Sequence, residues 1–152
     1  SYVKDYYQSS ALPRIYTDGS FLEKIENGAY ALIIEQGHEN YEHYTQKVEV
    51  KNSSLIELIA AMKGVEMLAE EEKIRLVTDS QYVRKGLTEW VVNWKLNNWQ
   101  TVNGESVKHI EYWQKFDQLT EGKYIEFEWV KAHSEHFENE LCDLLAREAA
   151  QG

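Results

Sequence analysis

The spacing of apolar side chains changes once along this chain, near residue 52, and that change leaves few folds open. Upstream of it, short β-rich runs stand between turn residues. Residues 15–18 (Ile-Tyr-Thr-Asp) stop at Gly19-Ser20, residues 30–34 (Tyr-Ala-Leu-Ile-Ile) form a second run, and a turn at 37–40 leads to a third carrying Tyr44, Val48 and Val50. Together they predict an antiparallel meander. Downstream, Asn52-Ser53-Ser54 offers capping side chains, and Glu57 stands three residues after Ser54, as in a capping box. Residues 55–69 are rich in Leu, Ile, Ala and Met and predict a helix, which the charged run Glu70-Glu71-Glu72 ends. A strand at 74–78 follows, then helices near 81–85, 88–96 and 107–119. An alternating strand at 125–129 and a last helix near 139–149 complete the chain. The order β-β-β-α-β-α-α-α-β-α implies a mixed sheet with helices on its faces. The expectation is one α/β (mixed α+β) domain over residues 13–152, entered at Pro13, with residues 1–12 as a flexible leader.

Composition narrows the partners. A net charge of -10 disfavours binding nucleic acid through the whole surface, because phosphates repel acidic faces. An acidic chain can still act on nucleic acid if it has a local neutral or basic strip and carboxylates that hold divalent cations against phosphate. No apolar run approaches the roughly 18 residues of a membrane span, and no secretory signal is present, so no membrane partner is expected. Cys142, the single cysteine, cannot form an internal disulfide, which suits a cytoplasmic location. The chain starts at Ser1 rather than Met, which leaves open an origin within something longer.

Four acids stand in unusual places. Asp18 ends the first strand and Asp79 the fourth, and strand ends beside a change of connectivity are common ligand sites. Glu57 interrupts Leu55-Ile56-Glu57-Leu58-Ile59, and Asp143 interrupts Leu141-Cys142-Asp143-Leu144-Leu145. A charge on a largely buried helix costs roughly several kcal/mol unless paired or bound to metal. Each acid alone has an ordinary explanation. Asp18 could serve a turn, Asp79 could cap a helix, Glu57 could complete the capping box, and Asp143 could pair with Arg147. As a set, they can converge as oxygen ligands for hard cations such as Mg²⁺. Two such ions could clamp the attacking and leaving oxygens of a phosphodiester.

His133 follows the strand ending at Trp129-Val130, in a loop suited to proton transfer. A zinc site from His133, His136 and Cys142 is the rival, but it lacks a fourth soft ligand and the acids favour a hard metal. The stretch from Gln81 to Lys115 holds four of the five tryptophans, Trp90, Trp94, Trp99 and Trp113. It carries five basic residues against three acidic ones, unlike the chain as a whole. Aromatics interleaved with lysine can pack on sugars and hold phosphates. The alternative is that Trp90 and Trp94, four apart, form one helix face folded onto the core.

These motifs resemble type 1 ribonuclease H, especially its bacterial form. The resemblance rests on Thr17-Asp18-Gly19-Ser20, Ile56-Glu57-Leu58, Thr78-Asp79-Ser80-Gln81-Tyr82-Val83, and His133 with Glu138-Asn139-Glu140-Leu141-Cys142-Asp143. It continues through Asn93-Trp94-Lys95, Trp99, Val107-Lys108 and Trp113-Gln114, and covers about residues 14–150. It implies a five-stranded mixed sheet, three antiparallel strands and then two parallel ones, flanked by helices. It further implies a monomeric endoribonuclease that cuts the RNA strand of RNA–DNA hybrids and leaves 5′-phosphate and 3′-hydroxyl ends. Asp18, Glu57, Asp79 and Asp143 would hold two Mg²⁺ ions, with Mn²⁺ able to substitute. Asp18 would bridge both ions, Asp79 would hold the one that activates water, and Glu57 and Asp143 the other. His133 would assist proton transfer or product release, and Glu140 would tune the second metal. Asn52, Ser53, Ser54, Gln81, Trp90, Trp94, Lys95, Trp99 and His109 would contact the hybrid.

The chain departs from the bacterial pattern in places. The glycine-rich turn after the first strand is replaced by Phe21-Leu22-Glu23-Lys24-Ile25-Glu26-Asn27-Gly28, and the amide pair before the helix glutamate by Ser53-Ser54. Leu55 stands for an expected arginine, Asn52 and His109 for an expected threonine and asparagine, and the tryptophan-rich handle has fewer lysines. Fewer phosphate contacts imply weaker hybrid binding with a flatter salt dependence. Three alternatives stand beside the free enzyme: an excised ribonuclease H domain of a reverse transcriptase, a non-cutting hybrid-binding module, and a different metal nuclease on the same fold.

Overall fold

A computed structural model of the chain describes residues 2–5, 12–36, 40–129 and 137–152. Its strands are β1 (Tyr2–Asp5), β2 (Arg14–Leu22), β3 (Asn27–Glu35), β4 (Tyr41–Val48), β5 (Lys73–Thr78) and β6 (Tyr124–Trp129). Its helices are α1 (Ser53–Met67), α2 (Gln81–Lys85), α3 (Val91–Leu96), α4 (Ile110–Thr120) and α5 (Phe137–Gln151), with a π-helical turn, Gly86–Trp90, between α2 and α3. The sheet order is β1-β6-β5-β2-β3-β4. β2, β3 and β4 are antiparallel, and β2, β5, β6 and β1 are parallel. The five expected strands are thus β2 to β6. Residues 2–5, within the expected leader, form a sixth, β1.

Alternation along the strands assigns the two faces. Ile15, Ile74, Leu76, Ile125 and Phe127 face a core that includes Leu58, Ala61, Met62 and Val65 of α1 and Trp113 and Phe116 of α4. Tyr16, Ile33 and Val77 face the other way and bury Cys142 and Ala146 of α5. No helix among the described residues is long and apolar enough to cross a membrane.

Asp18 does not end its strand. Gly19 and Ser20 stay paired with Tyr30 and Ala29, so β2 runs on to Leu22, and the chain turns at 23–26 with Glu26 at φ 53°. What ends near Asp18 is the parallel pairing to β5, whose last pair is Tyr16 with Val77. The two strands part there; Asp18 lies two residues beyond Tyr16 on β2, and Asp79 two beyond Val77, just past the end of β5. Glu57 makes no capping box, because Asn52 caps α1 by accepting from Leu55 N at 3.1 Å. Asp79 does not cap α2; Ser80 does, accepting from Val83 N at 3.2 Å. α4 begins three residues later than its sequence suggests, because His109 adopts a left-handed conformation at φ 60° just before it. The helix expected over 88–96 is continuous with α2 through the π-helical turn. Gly86 sits there because a Cβ would lie 1.9 Å from Cη2 of the buried Trp113.

Candidate active site

The site forms where β2 and β5 part and the first turn of α1 comes close to β2. Gly19 makes that approach possible: a Cβ on it would meet Ile56 Cγ2 at 2.7 Å and Glu57 N at 3.3 Å. The Gly19 amide then donates to two carboxylates at once, Asp18 Oδ1 at 2.9 Å and Glu57 Oε1 at 2.8 Å. Asp79, just past β5, adds a third. Asp18, Glu57 and Asp79 each present an oxygen within 4.8 Å of the others. They open into a cleft of about 230 Å³, also lined by Gly19, Asn139, Glu140 and Asp143, with no basic side chain among the described lining residues. Asp18 is only 3% exposed. Its Oδ2 and Glu57 Oε2 are buried without a hydrogen-bond partner among the described residues.

Buried carboxylate oxygens without donors are expensive, and like charges at this spacing add to the cost. Burial pushes the Asp18 carboxyl up to about 7, with Asp79 and Asp143 adding to the rise. Glu57 is also raised well above the ordinary carboxylate range, by burial first and then by Asp18. A hard divalent cation would answer both problems, supplying the missing partner and the missing positive charge. The donor set is all oxygen, which fits such an ion.

A pH dependence follows for the metal-free protein. Folded, Asp18 keeps its proton up to about 7; unfolded, it releases it near 3.8. Between those values the folded state binds more protons, so this group's contribution to stability falls as pH rises. With EDTA present, the thermal midpoint should fall from about pH 5 to about pH 8, by an amount reflecting roughly a few kcal/mol. A divalent cation should restore stability at the higher pH and do little at the lower. Equal stabilisation by the cation at both pH values would refute the account.

The other expected residues fall into three groups. Asp143 lines the cleft but stands outside the close trio and pairs with Arg147 at 3.1 Å, the ordinary explanation that its spacing allowed. Glu140 lines the same cleft from an exposed position. His133 lies outside the described residues, as does His136. Cys142 is a buried thiol, 3.1 Å from the Ala31 carbonyl and pushed up by burial, which makes it a core residue rather than a zinc ligand.

Among the expected substrate contacts, Asn52 uses its side chain on the α1 cap, and Ser53 and Ser54 begin that helix. Gln81 is exposed at the start of α2. Trp90, Trp94 and Trp99 form a chain of rings with centroids 6.0 and 6.3 Å apart, partly buried against Trp113 and Tyr82. Lys95 pairs with Asp117 at 3.2 Å. His109 is half-buried, and burial followed by neighbouring Lys108 lowers its pKa.

Sequence reasoning missed two participants. The Gly19 amide could not be seen, because its double donation depends on where α1 docks. Asn139, 3% exposed in the cleft wall, carried a usable signal: it lies four residues before Asp143 and shares its helix face.

The family model described as RNase H matches residues 12–151. Ribonuclease H of Tolumonas auensis is 43% identical over 136 residues, covering 90% of this chain and 88% of that protein. Ribonuclease H of Aeromonas hydrophila is 42% identical over 138 residues, covering 91% and 89%. Among solved structures, LC9-RNase H1, described as a type 1 RNase H with the type 2 active-site motif, superposes with a TM-score of 0.79 at 23% identity. That match covers 97% of this chain and 75% of the other. The RNase H domain of PFV superposes with a TM-score of 0.77 at 21% identity, covering 91% and 94%. At these identities the structural matches speak to the fold.

Proposed function

Because the chain belongs to the ribonuclease H family, and to its type 1 branch, we propose that Asp18, Glu57, Asp79 and Asp143 are the acids with which it hydrolyses the RNA strand of RNA–DNA hybrids. The family works with divalent metal; Mg²⁺ is the ion we assign here, two per site, with Mn²⁺ as a substitute. Held by these acids, divalent metal would supply activation of the attacking water and charge stabilisation of the leaving oxygen. The observation that carries the assignment is the close trio Asp18, Glu57 and Asp79, with two buried oxygens that lack a hydrogen-bond partner among the described residues and no basic side chain among the described residues lining the cleft.

The chain's own residues do the positioning. The Gly19 amide fixes one oxygen each of Asp18 and Glu57, which leaves their second oxygens without a hydrogen-bond partner among the described residues. Asp143 joins when its pairing with Arg147 yields; Glu140 stands beside it as a tuning residue. His133 is assigned the proton transfer or product-release step on sequence alone. Ser53, Ser54, Gln81, Trp90, Trp94, Trp99, Lys95, His109 and Asn52 remain the proposed hybrid contacts. Asn52 acts there through its backbone and the helix it caps. All four acids come from one chain, which supports a monomer, and the buried free thiol of Cys142 supports a cytoplasmic setting. The catalytic unit is residues 13–152, with β1 added at its edge.

The direct test uses end-labelled RNA–DNA hybrid, double-stranded RNA and double-stranded DNA with Mg²⁺. Only the RNA strand of the hybrid should be cut, and EDTA should stop it. Hybrid binding without cleavage in either Mg²⁺ or Mn²⁺ would replace the enzyme with a binding module.

A further inference from the structure

β1 has no place in the five-strand reading and lies outside residues 12–151, the stretch that the family model matches. It runs parallel to β6 in continuous register, with Tyr2 opposite Tyr124, Val3 opposite Ile125, Lys4 opposite Glu126 and Asp5 opposite Phe127. Its backbone also comes against the π-helical turn Gly86–Trp90, and α2, which leads into that turn, packs on β6. Three things therefore meet at one place: the sheet edge, the N-terminal strand, and the root of the segment that carries Trp90, Trp94 and Trp99.

The β6 edge is a firm base for such a junction. Glu126, opposite Lys4 in register, accepts from Arg75 Nη2 at 2.7 Å and from Arg75 Nε at 3.1 Å, and Arg75 is 1% exposed. Arg75 Nη1 also lies 3.7 Å from Glu128, two residues further along β6. The turn itself departs from the α-helix on either side of it. π-Helical bonding, from residue i to i+5, is rare and occurs mostly as a single-turn bulge of this kind, frequently at functional sites. Trp113 packs on one side, over Gly86. β1 supplies contact from the sheet edge.

We propose that β1 is a brace for the aromatic segment. By pairing with β6 and supporting the π-helical turn, it holds Trp90, Trp94 and Trp99 in the orientation that receives the hybrid. It therefore sets substrate affinity and leaves the chemical step alone. In the sheet β6 and β5 stand between β1 and β2, so β1 lies away from the parting of β2 and β5 where the acids sit, and its effect belongs in KM. This inference rests on the hybrid-cleaving function above.

The test uses the full chain carrying Val3→Pro and Lys4→Pro together. In a parallel pair, alternate residues of an edge strand turn their N–H groups to the neighbour, so adjacent prolines remove at least one ladder donor. Steady-state cleavage of the hybrid is measured at fixed salt and Mg²⁺, well below the thermal midpoint of each protein. The brace predicts a KM raised about threefold or more with kcat within about twofold, the signature of lost ground-state binding. It also predicts a shifted tryptophan emission. An unchanged KM, or a loss confined to kcat, overturns it. A wild-type protein that does not cut the hybrid would overturn the function itself, a different outcome from a wild type that cuts and a proline variant that matches it.

Discussion

Asp18→Asn lowers the rate of hybrid cleavage at saturating Mg²⁺ on the order of a thousandfold or more, while making the metal-free protein more stable at pH 8. The substitution nearly preserves shape, and the amide oxygen can still accept from Gly19 N as Oδ1 does at 2.9 Å. What changes is Oδ2, the oxygen without a hydrogen-bond partner among the described residues, which becomes an N–H₂ group. The proposed cation ligand turns into a hydrogen-bond donor, and one negative charge leaves a cleft whose described lining holds five acids. Charge stabilisation by bound metal is worth several kcal/mol in the transition state, and each ~1.4 kcal/mol is tenfold in rate. The stability gain comes from the same source with opposite sign. A carboxyl raised to about 7 by burial and neighbouring acids strains the folded state once ionised, and the amide does not ionise. Single-turnover cleavage and thermal melting with EDTA check the two halves. A variant that keeps a tenth of the wild-type rate would remove Asp18 from the metal site. A variant less stable than wild type without metal would contradict the electrostatic account.

Trp113→Ala costs about 3–5 kcal/mol of folding stability, a large share of what a domain this size possesses. Trp113 is fully buried. Its indole N–H donates to Tyr82 Oη at 3.0 Å, and its ring meets Trp94, Trp90 and Phe116 at centroid distances of 5.7, 6.5 and 6.5 Å. Truncation opens a cavity at the centre of the aromatic cluster and removes the Tyr82 partner. A second substitution makes the argument specific. Gly86→Ala should be strongly destabilising alone, because its Cβ would collide with this ring, yet nearly neutral in the Trp113→Ala background. Urea unfolding of the wild type, both single variants and the double variant measures the coupling. Additive losses would show that Gly86 is required for some other reason than the tryptophan. A loss below about 1.5 kcal/mol for Trp113→Ala would show that the cluster collapses around the gap.

The elements themselves were largely legible along the chain, because they follow from local periodicity. Residues 30–34 and 125–129 alternate or run apolar as strands do, and 55–69 reads as a helix. The four acids also stood out along the chain, Glu57 and Asp143 as charges inside apolar runs that need a compensating partner, and Asp18 and Asp79 as acids near strand ends. Three features were decided only by tertiary contact. The extent of β2 past Asp18 came from its antiparallel partner, which keeps Gly19-Ser20 in the sheet although that pair resembles a turn. The placing of β1 came from an open β6 edge, and four residues of ordinary composition carry no sign of it. The standing of the acids as one close trio with a fourth nearby also depended on docking. Gly19 lets α1 approach until Glu57 shares an amide with Asp18, while Asp143 on α5 keeps its local partner Arg147. Sequence alone thus determined which residue types could bind a cation and on which elements they lie. The distances that make three of them one site were decided by the packing of helix on sheet, which depends on atoms far apart in the chain.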